Sequence, residues 1–307
     1  MNQTVAQDFQ SLPYKVGQFC LDFLSGGVAG VVAKTVAAPV ERVKLLLQTQ
    51  GTNERIAKPY NGIADCWKRI YTEEGILAFW RGNGANIIRY FPTQALNFSI
   101  KDSLQVFFGK TDREKNPYKF VLKNLLAGGV AGCITSTIVY PLDFARTRLG
   151  VDVGKSQESR QFKGVYDCIS TTYKADGIKG LYRGAGMAVF GIFIYRGLYF
   201  GVYDSGKAVI IKDKDSLVKK FFFAQACVIF SETLAYPTDT VKRMLMLQST
   251  RKEVMYTGVV DCCRKVYQKD GLKGFWKGSL SNVMRSIGSS ICLVLYDEIK
   301  AHRTKLF

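Results

Sequence analysis

Six long apolar stretches lie at approximately 19–48, 84–108, 121–149, 185–211, 217–248 and 279–301, separated by polar loops. A helix rises about 1.5 Å per residue, so each stretch is long enough to cross a hydrocarbon core about 30 Å thick. Within the first loop a shorter amphipathic stretch runs from Ala64 to Glu73 and ends at a Gly turn, and similar stretches follow the third and fifth long segments. The pattern predicts an all-α chain of six membrane-length helices and three short surface helices.

The stretches repeat in pairs. Pro39-Val40-Glu41-Arg42-Val43-Lys44 recurs as Pro141-Leu142-Asp143-Phe144-Ala145-Arg146 and as Pro237-Thr238-Asp239-Thr240-Val241-Lys242, with copies about one hundred residues apart. Each copy is followed by an aromatic-x-Gly turn (Tyr60/Gly62, Phe162/Gly164, Tyr256/Gly258) and a Cys four residues later (Cys66, Cys168, Cys262). Next come an acid-Gly pair (Glu74-Gly75, Asp176-Gly177, Asp270-Gly271) and an aromatic-base-Gly turn (Trp80/Gly82, Tyr182/Gly184, Trp276/Gly278). The period is too long for a solenoid and suits a helix–loop–helix pair repeated around a pseudo-three-fold axis. The expected organisation is a tail at 1–16 and three units at 17–112, 113–211 and 212–307.

Charges inside the apolar stretches change the picture most. Only the third stretch holds a charge-free run of simple membrane-span length, from Asn124 to Leu142; Lys34, Arg89, Arg196, Glu232 and Arg285 lie well inside the others. A charge facing lipid at that depth is costly, so these side chains are expected to face a bundle interior or a watery cavity. Buried helices of a soluble protein would explain the helices but not the excess of buried cations. The small-residue strips Gly26-Gly27-Val28-Ala29-Gly30 and Gly128-Gly129-Val130-Ala131-Gly132 allow close helix approach in lipid; the fifth stretch lacks such a strip and carries Glu232.

Composition agrees. The chain is strongly basic, with a net charge of +18, yet 47% of its residues are hydrophobic. That combination points to a membrane protein with an anionic ligand, anionic lipid neighbours, or both. The eight cysteines form no C-x-x-C pair, and the single His is too few for a zinc site, so the thiols read as reduced and apolar. Residues Met1 to Gln18 look like neither a secretory signal nor an Arg-rich transit peptide, which places any targeting information further inside the chain. There is no Cys/His nucleophile pair, no metal-ligand set and no phosphate-cradling Gly loop, so neither an enzyme nor a bound cofactor is expected. Cations alternating with membrane-length apolar runs also do not describe a nucleic-acid binder.

The three prolines should bend the odd-numbered helices. Just beyond them stand acid and base three residues apart: Glu41/Lys44, Asp143/Arg146 and Asp239/Lys242. A single copy would read as a surface pair worth a few tenths of a kcal/mol. Three copies around an axis allow each acid to meet the base of a neighbouring repeat and so close one end of a central cavity. A related pattern ends the even-numbered helices: Asp102 with Lys101 before it, Asp204 with Lys207, and Asp297 with Lys300, while Gln105 stands where the first base is expected. Two closable rings on one cavity imply alternating access, with the second ring the weaker. Between the rings lie Lys34, Arg89, Arg196 and Arg285, and Tyr195, Tyr199 and Tyr203 share one helix face. Cations beside an aromatic ladder suit a polyanion with a flat ring, such as a nucleotide; the Tyr stripe is equally consistent with helix packing.

These motifs resemble the mitochondrial carrier family from about Phe19 to Lys300. Within it the match is closest to the branch that exchanges ADP and ATP, on the strings from Ala38 to Gln48 and from Tyr140 to Leu149. Arg89-Tyr90-Phe91-Pro92-Thr93-Gln94-Ala95-Leu96-Asn97-Phe98 and Leu293-Val294-Leu295-Tyr296-Asp297-Glu298-Ile299-Lys300 are similarly close. The resemblance implies six transmembrane helices in a three-fold pseudo-symmetric barrel, three short matrix-side helices, and a multi-pass protein of the mitochondrial inner membrane. It implies ADP and ATP as transported ligands, contacted by Lys34, Arg89, Gly191, Ile192, Tyr195 and Arg285, with Asn97, Lys101, Arg196 and Arg243 nearby. The first ring, with Gln48, becomes a matrix gate, and the second, on Asp102, Asp204, Lys207, Asp297 and Lys300, a cytoplasmic gate. Cardiolipin is implied at Gly62, Gly82, Gly164, Gly184, Gly258 and Gly278, where helix N-termini offer amides to phosphate.

Four features, at five positions, depart from that branch. Lys242-Arg243-Met244 stands where three arginines are usual, Ala235 where Ser is common, Glu232 where a small residue is usual, and Gln105 breaks a gate pair. They bear on substrate and transport competence rather than on fold. Two alternatives to ADP/ATP exchange follow: a carrier-fold accessory subunit docked on a respiratory complex, and a carrier of another phosphorylated or carboxylate metabolite.

Overall fold

A computed structural model describes residues 27–28, 30–53, 55–56, 58–108, 117–154, 160–210, 217–249 and 255–286, and among these no strand occurs. The first repeat contributes α1 (residues 30–49), α2 (Ile63–Arg69) and α3 (Asn83–Phe108). The second contributes α4 (Pro117–Gly150), α5 (Val165–Leu181) and α6 (Ala185–Ile210). The third contributes α7 (Leu217–Gln248), α8 (Val259–Asp270) and α9, described over residues 279–286. The long helices fall on the apolar stretches of the sequence, and the short ones on the amphipathic stretches. Pairing runs between repeats: α3 packs on α4, and α6 on α7.

The long helices point their apolar residues outward. Val32, Val36, Phe98, Ile138, Phe193 and Phe222 are all exposed on the isolated chain, as expected where lipid is the solvent. By length and composition the stretch Ala185–Tyr203, with mean hydropathy 1.5, can cross a membrane even though it contains Arg196.

The small-residue strips do admit close neighbours, but the approach is made by side chains. A β-carbon on Gly27 would lie 2.8 Å from the ring of Phe91, and one on Gly30 would collide with Tyr90. On α4, β-carbons at Gly128 and Gly132 would lie 3.0 and 3.1 Å from the Arg196 guanidinium. The strip on α4 therefore makes room for a cation as well as for packing.

The prolines lie inside continuous helices. Each removes the N–H that would bond the carbonyl four residues back. In two repeats an indole replaces it: Trp80 Nε1 donates to Thr35 O at 2.8 Å, and Trp276 Nε1 donates to Thr233 O at 2.9 Å. The second repeat has Tyr182 at that place, stacked on Tyr140 with ring centroids 5.6 Å apart. This links the aromatic-base-Gly turn to the proline of the same repeat.

The short helices are fastened in the same way three times. The eleventh residue after each proline accepts a bond from the backbone of the loop aromatic. Gln50 takes Tyr60 N at 2.7 Å, Asp152 takes Phe162 N at 3.4 Å, and Gln248 takes Tyr256 N at 3.0 Å. The acid-Gly step then breaks the helix, as at Gly177, where φ is +63°, a conformation that costs Gly little. The acid of each step pairs with the base of the following turn: Glu74 with Arg81, Asp176 with Arg183 at 3.7 Å, Asp270 with Lys277 at 2.6 Å. Sequence reading found both motifs but not their partnership.

Three apolar clusters result, joining the ends of α1, α4 and α7 to the short helices that follow them and taking in residues such as Leu247 and Met246 from another repeat. Cys66, Cys168 and Cys262 sit at their centres with no exposed surface, and the six described cysteines are free. Burial pushes each of these three thiols up to about 12.

Two outcomes are expected. Trp276→Phe leaves Thr233 O without its donor and should lower stability by about 1 kcal/mol, read as a lower thermal midpoint in detergent. Because Cys66, Cys168 and Cys262 are held as thiols well above pH 8, maleimide labelling at pH 7.5 should be far slower in the folded protein than after denaturation, with mass mapping of the labelled peptides as the check.

Candidate ligand-binding cavity

At one end of the helix bundle the three acid–base motifs meet across repeats. Lys44 Nζ lies 3.1 Å from Asp239, Lys242 Nζ lies 2.5 Å from Asp143, and Arg146 is in close contact with Glu41. Each base thus reaches the acid of another repeat, closing a ring. Pro-aromatic spacing supports it: Lys44 sits over the Tyr236 ring at 5.0 Å and Lys242 over Tyr140 at 5.6 Å. In the first repeat Ala38 stands at the corresponding place, and the base facing it in the ring is an Arg.

Further polar groups complete the ring. Gln48, fully buried, donates to Asp239 at 3.3 Å and to Thr240 Oγ1 at 2.9 Å. Asn282 accepts from Lys44 at 2.8 Å, and Asn86 donates to Glu41 at 3.3 Å. Arg243, expected among the ligand-contacting cations, is held in the ring: its Nε lies 3.0 Å from Asp239 and its Nη1 3.3 Å from Thr147 Oγ1. Met244, where an arginine is usual in the resembling branch, is buried in the third apolar cluster and takes no part in the ring.

Above the ring two chambers of about 400 and 450 Å³ adjoin, sharing Arg89, Ile192 and Tyr195. The first is lined by Lys34, Gly191, Ala235, Arg243 and Arg285, and the second by Asn97 and Arg196. Of the ten residues expected to contact a ligand, nine line one chamber or both. Lys101 is exposed and lines neither. Gly191 is set by contact: a β-carbon there would stand 2.6 Å from Thr238 Oγ1.

The cations differ in how firmly they are held. Lys34 rests over the Tyr90 ring at 5.2 Å. Arg89 makes a loose 3.9 Å pair with Asp143 and a long 3.4 Å bond to Asn86, and its buried Nε has no hydrogen-bond partner among the described residues. Arg285 is paired with Glu232 at 3.0 Å. The tyrosines form a true ladder, with Tyr195 and Tyr199 stacked at 6.1 Å and Tyr199 and Tyr203 at 5.6 Å. Tyr203 continues onto Phe223 at 5.8 Å, so the ladder also packs α6 on α7. Tyr195 at the other end of the ladder lines both chambers.

Of the second ring, Asp102 is exposed. The side chains of Asp204, Lys207 and Gln105, and all of Asp297 and Lys300, lie outside the described residues. Sequence reading missed Asn86 and Asn282 altogether; their only signal was an Asn at the same distance past the aromatic-base-Gly turn in the first and third repeats.

Comparison with known proteins gives a consistent result. The family model described as "Mitochondrial carrier protein" matches three times, over residues 15–112, 118–214 and 213–306. ADP/ATP translocase 3 of Homo sapiens is 51% identical over 288 residues, covering 92% of this chain and 97% of the relative. ADP/ATP translocase 4 of Bos taurus is 51% identical over 286 residues, covering 92% and 88%. ADP/ATP translocase 2 of Rattus norvegicus is 50% identical over 290 residues, covering 92% and 97%.

Removing an acid from the ring should destabilise this arrangement. Asp239→Asn strands Lys44 and Arg243 beside a neutral group, an effect on the order of 3 kcal/mol for a partly buried pair. Its thermal midpoint should fall clearly, whereas the exposed Asp102→Asn should change it little.

Proposed function

The chain belongs to the mitochondrial carrier family, and from that premise we propose that it exchanges ADP for ATP across the mitochondrial inner membrane. The observation that carries the proposal is the first chamber, on which Lys34 and Arg89 of the first repeat and Arg285 of the third converge above a closed ring. Cations on three helices, α1, α3 and α9, can hold the phosphates of a nucleotide from more than one side. Lys34, resting over a ring, and Arg89, in a loose ion pair, are held less firmly than Arg285 and are the readier to bond a phosphate oxygen. Tyr195, at the chamber end of a pre-stacked ladder, offers a face for the base.

Transport follows from the ring. With the Glu41–Arg146, Asp143–Lys242 and Asp239–Lys44 pairs formed, the cavity is shut on that side, which we assign to the matrix. The opposite ring closes when these pairs open. Pairs made in one state only add to the difference between states, and a ligand that binds the intermediate form lowers the cost of passing between them. Exchange of a tetra-anion for a tri-anion moves one net charge, worth about 2.3 kcal/mol per 100 mV, so the potential drives ATP outward. No chemical step and no cofactor is needed. We read the chain as three units, 17–112, 113–211 and 212–307, behind a short tail at 1–16.

Cardiolipin is part of the proposal. Gly62, Gly164 and Gly258 open onto free space at the N-termini of α2, α5 and α8, where amides and helix dipole favour phosphate. Gly82, Gly184 and Gly278 have a second duty, since a β-carbon at any of them would meet backbone or Tyr hydroxyl atoms about 3 Å away. The accessory-subunit reading loses its main motive, because Met244 is a packing residue and all three ring pairs form without it.

Purified protein in cardiolipin-containing liposomes should take up labelled ADP against internal ATP. Arg89→Ala should reduce that exchange at least a hundredfold while the protein stays folded. A folded protein that exchanges neither nucleotide, or one that prefers phosphate, GTP or dicarboxylates in the same vesicles, would overturn the assignment. Omitting cardiolipin should lower both exchange and thermal midpoint.

A further inference from the structure

An acid stands among the cavity cations where the proposed function has no use for one. Glu232, on α7, lines the first chamber together with Lys34, Arg89 and Arg285. Its carboxylate accepts from Arg285 Nη2 at 3.0 Å, from Asn282 Nδ2 at 2.9 Å and from Ser286 Oγ at 2.6 Å. All three donors lie on α9. Both partners of the ion pair keep part of their surface open, 21% for the Glu232 side chain and 27% for that of Arg285. The pair is therefore reachable from the cavity.

We propose that Glu232 is a built-in counter-anion of the ligand site, which holds Arg285 until a phosphate oxygen of the ligand replaces it, and which tilts the cavity toward the less charged of two polyphosphates. This rests on the exchange reading above. Three observations lead to it. The carboxylate neutralises one of the three cations that the cavity presents to an anion. It does so with the same geometry a phosphate oxygen would use, an Arg N–H donor and a hydroxyl donor at bonding distance. The pair also communicates with the ring, because Asn282 accepts from Lys44 at 2.8 Å and from Arg285 Nε at 3.3 Å while donating to Glu232.

A ligand phosphate arriving at Arg285 must displace Glu232 or remain beside it. In either case a fixed negative charge opposes the ligand, and the opposition grows with the ligand's own charge. A triphosphate is penalised more than a diphosphate. A carboxylate serving only to brace α7 on α9 would not discriminate between them.

The test is equilibrium binding of ADP and ATP to the full-length protein in detergent with cardiolipin, for wild type, Glu232→Gln and Glu232→Asp. Glu232→Gln keeps the shape and removes the charge, leaving one acceptor oxygen and an NH2 group that the Ser286 hydroxyl can accept. It should tighten ADP binding roughly threefold and ATP binding roughly tenfold or more, whereas Glu232→Asp should keep the wild-type ratio. An unchanged ATP-to-ADP ratio in Glu232→Gln, or equal weakening for both ligands, would overturn the inference. Should Glu232→Gln not fold, Glu232→Ala replaces it with the same expectation; if neither folds, the residue is a packing brace and the inference fails. A wild type that binds neither nucleotide would defeat the exchange reading instead, and inorganic pyrophosphate against tripolyphosphate would then decide the charge preference of Glu232 by the same criteria.

Discussion

A charged side chain inside a bilayer is tolerable only beside another charge, a polar partner or water, and the arrangement of this molecule follows from that constraint. Lys34, Arg89, Arg196, Glu232 and Arg285 sit in membrane-length helices, and none can face lipid at acceptable cost. A three-fold repeat solves the problem geometrically. It turns one face of every long helix toward a shared axis, so the charges meet in one watery space while Val32, Phe98, Phe193 and Phe222 face outward. The cavity that holds them is a consequence of placing several cations in an apolar chain, and a negatively charged cargo is its natural occupant.

The same constraint explains the ring. Six charges crowd one end of the bundle, and they are stable there because each base finds an acid on another repeat. The pairs run between repeats, so the ring ties the three repeats to one another. The ring is not symmetrical in its supports. Tyr140 and Tyr236 lie beneath Lys242 and Lys44, but Ala38 offers no ring in the first repeat, and Arg146 takes the place of a lysine there. Arg243 adds a further cation at Asp239. The three corners thus differ in their supports.

Behind the ring, the short helices, the acid–base turns and the three cysteine-centred clusters form a firmly fastened layer. Each repeat is closed by the same bonds: the loop aromatic to the helix end, the acid of the Gly break to the base of the next turn, and, twice, an indole to the carbonyl orphaned by proline. These bonds lie within repeats. Others of the same layer cross between repeats, among them Arg42 to Gly150 O at 3.3 Å and Arg148 to Leu247 O at 3.0 Å, so the layer is tied together both within and between repeats.

Much of this was determined by the sequence alone. Element type and number followed from the length and periodicity of apolar runs, and the threefold plan from recurrent motifs, because both are local properties that survive without knowledge of contacts. The cations of the cavity were legible because a charge in an apolar helix has so few acceptable environments. What only the tertiary structure decided was partnership. Nothing in the order of residues says that Trp276 serves Thr233, that Glu74 serves Arg81, that Gly128 and Gly132 make room for Arg196, or that Arg243, while lining the cavity, is held by the ring acid Asp239. Glu232 is the clearest case: in sequence it is one unexplained acid in an apolar helix, and in space it is the partner of Arg285. Pairing depends on side-chain direction and on distances between helices far apart in the chain, and those are fixed only when the repeats pack around their common axis.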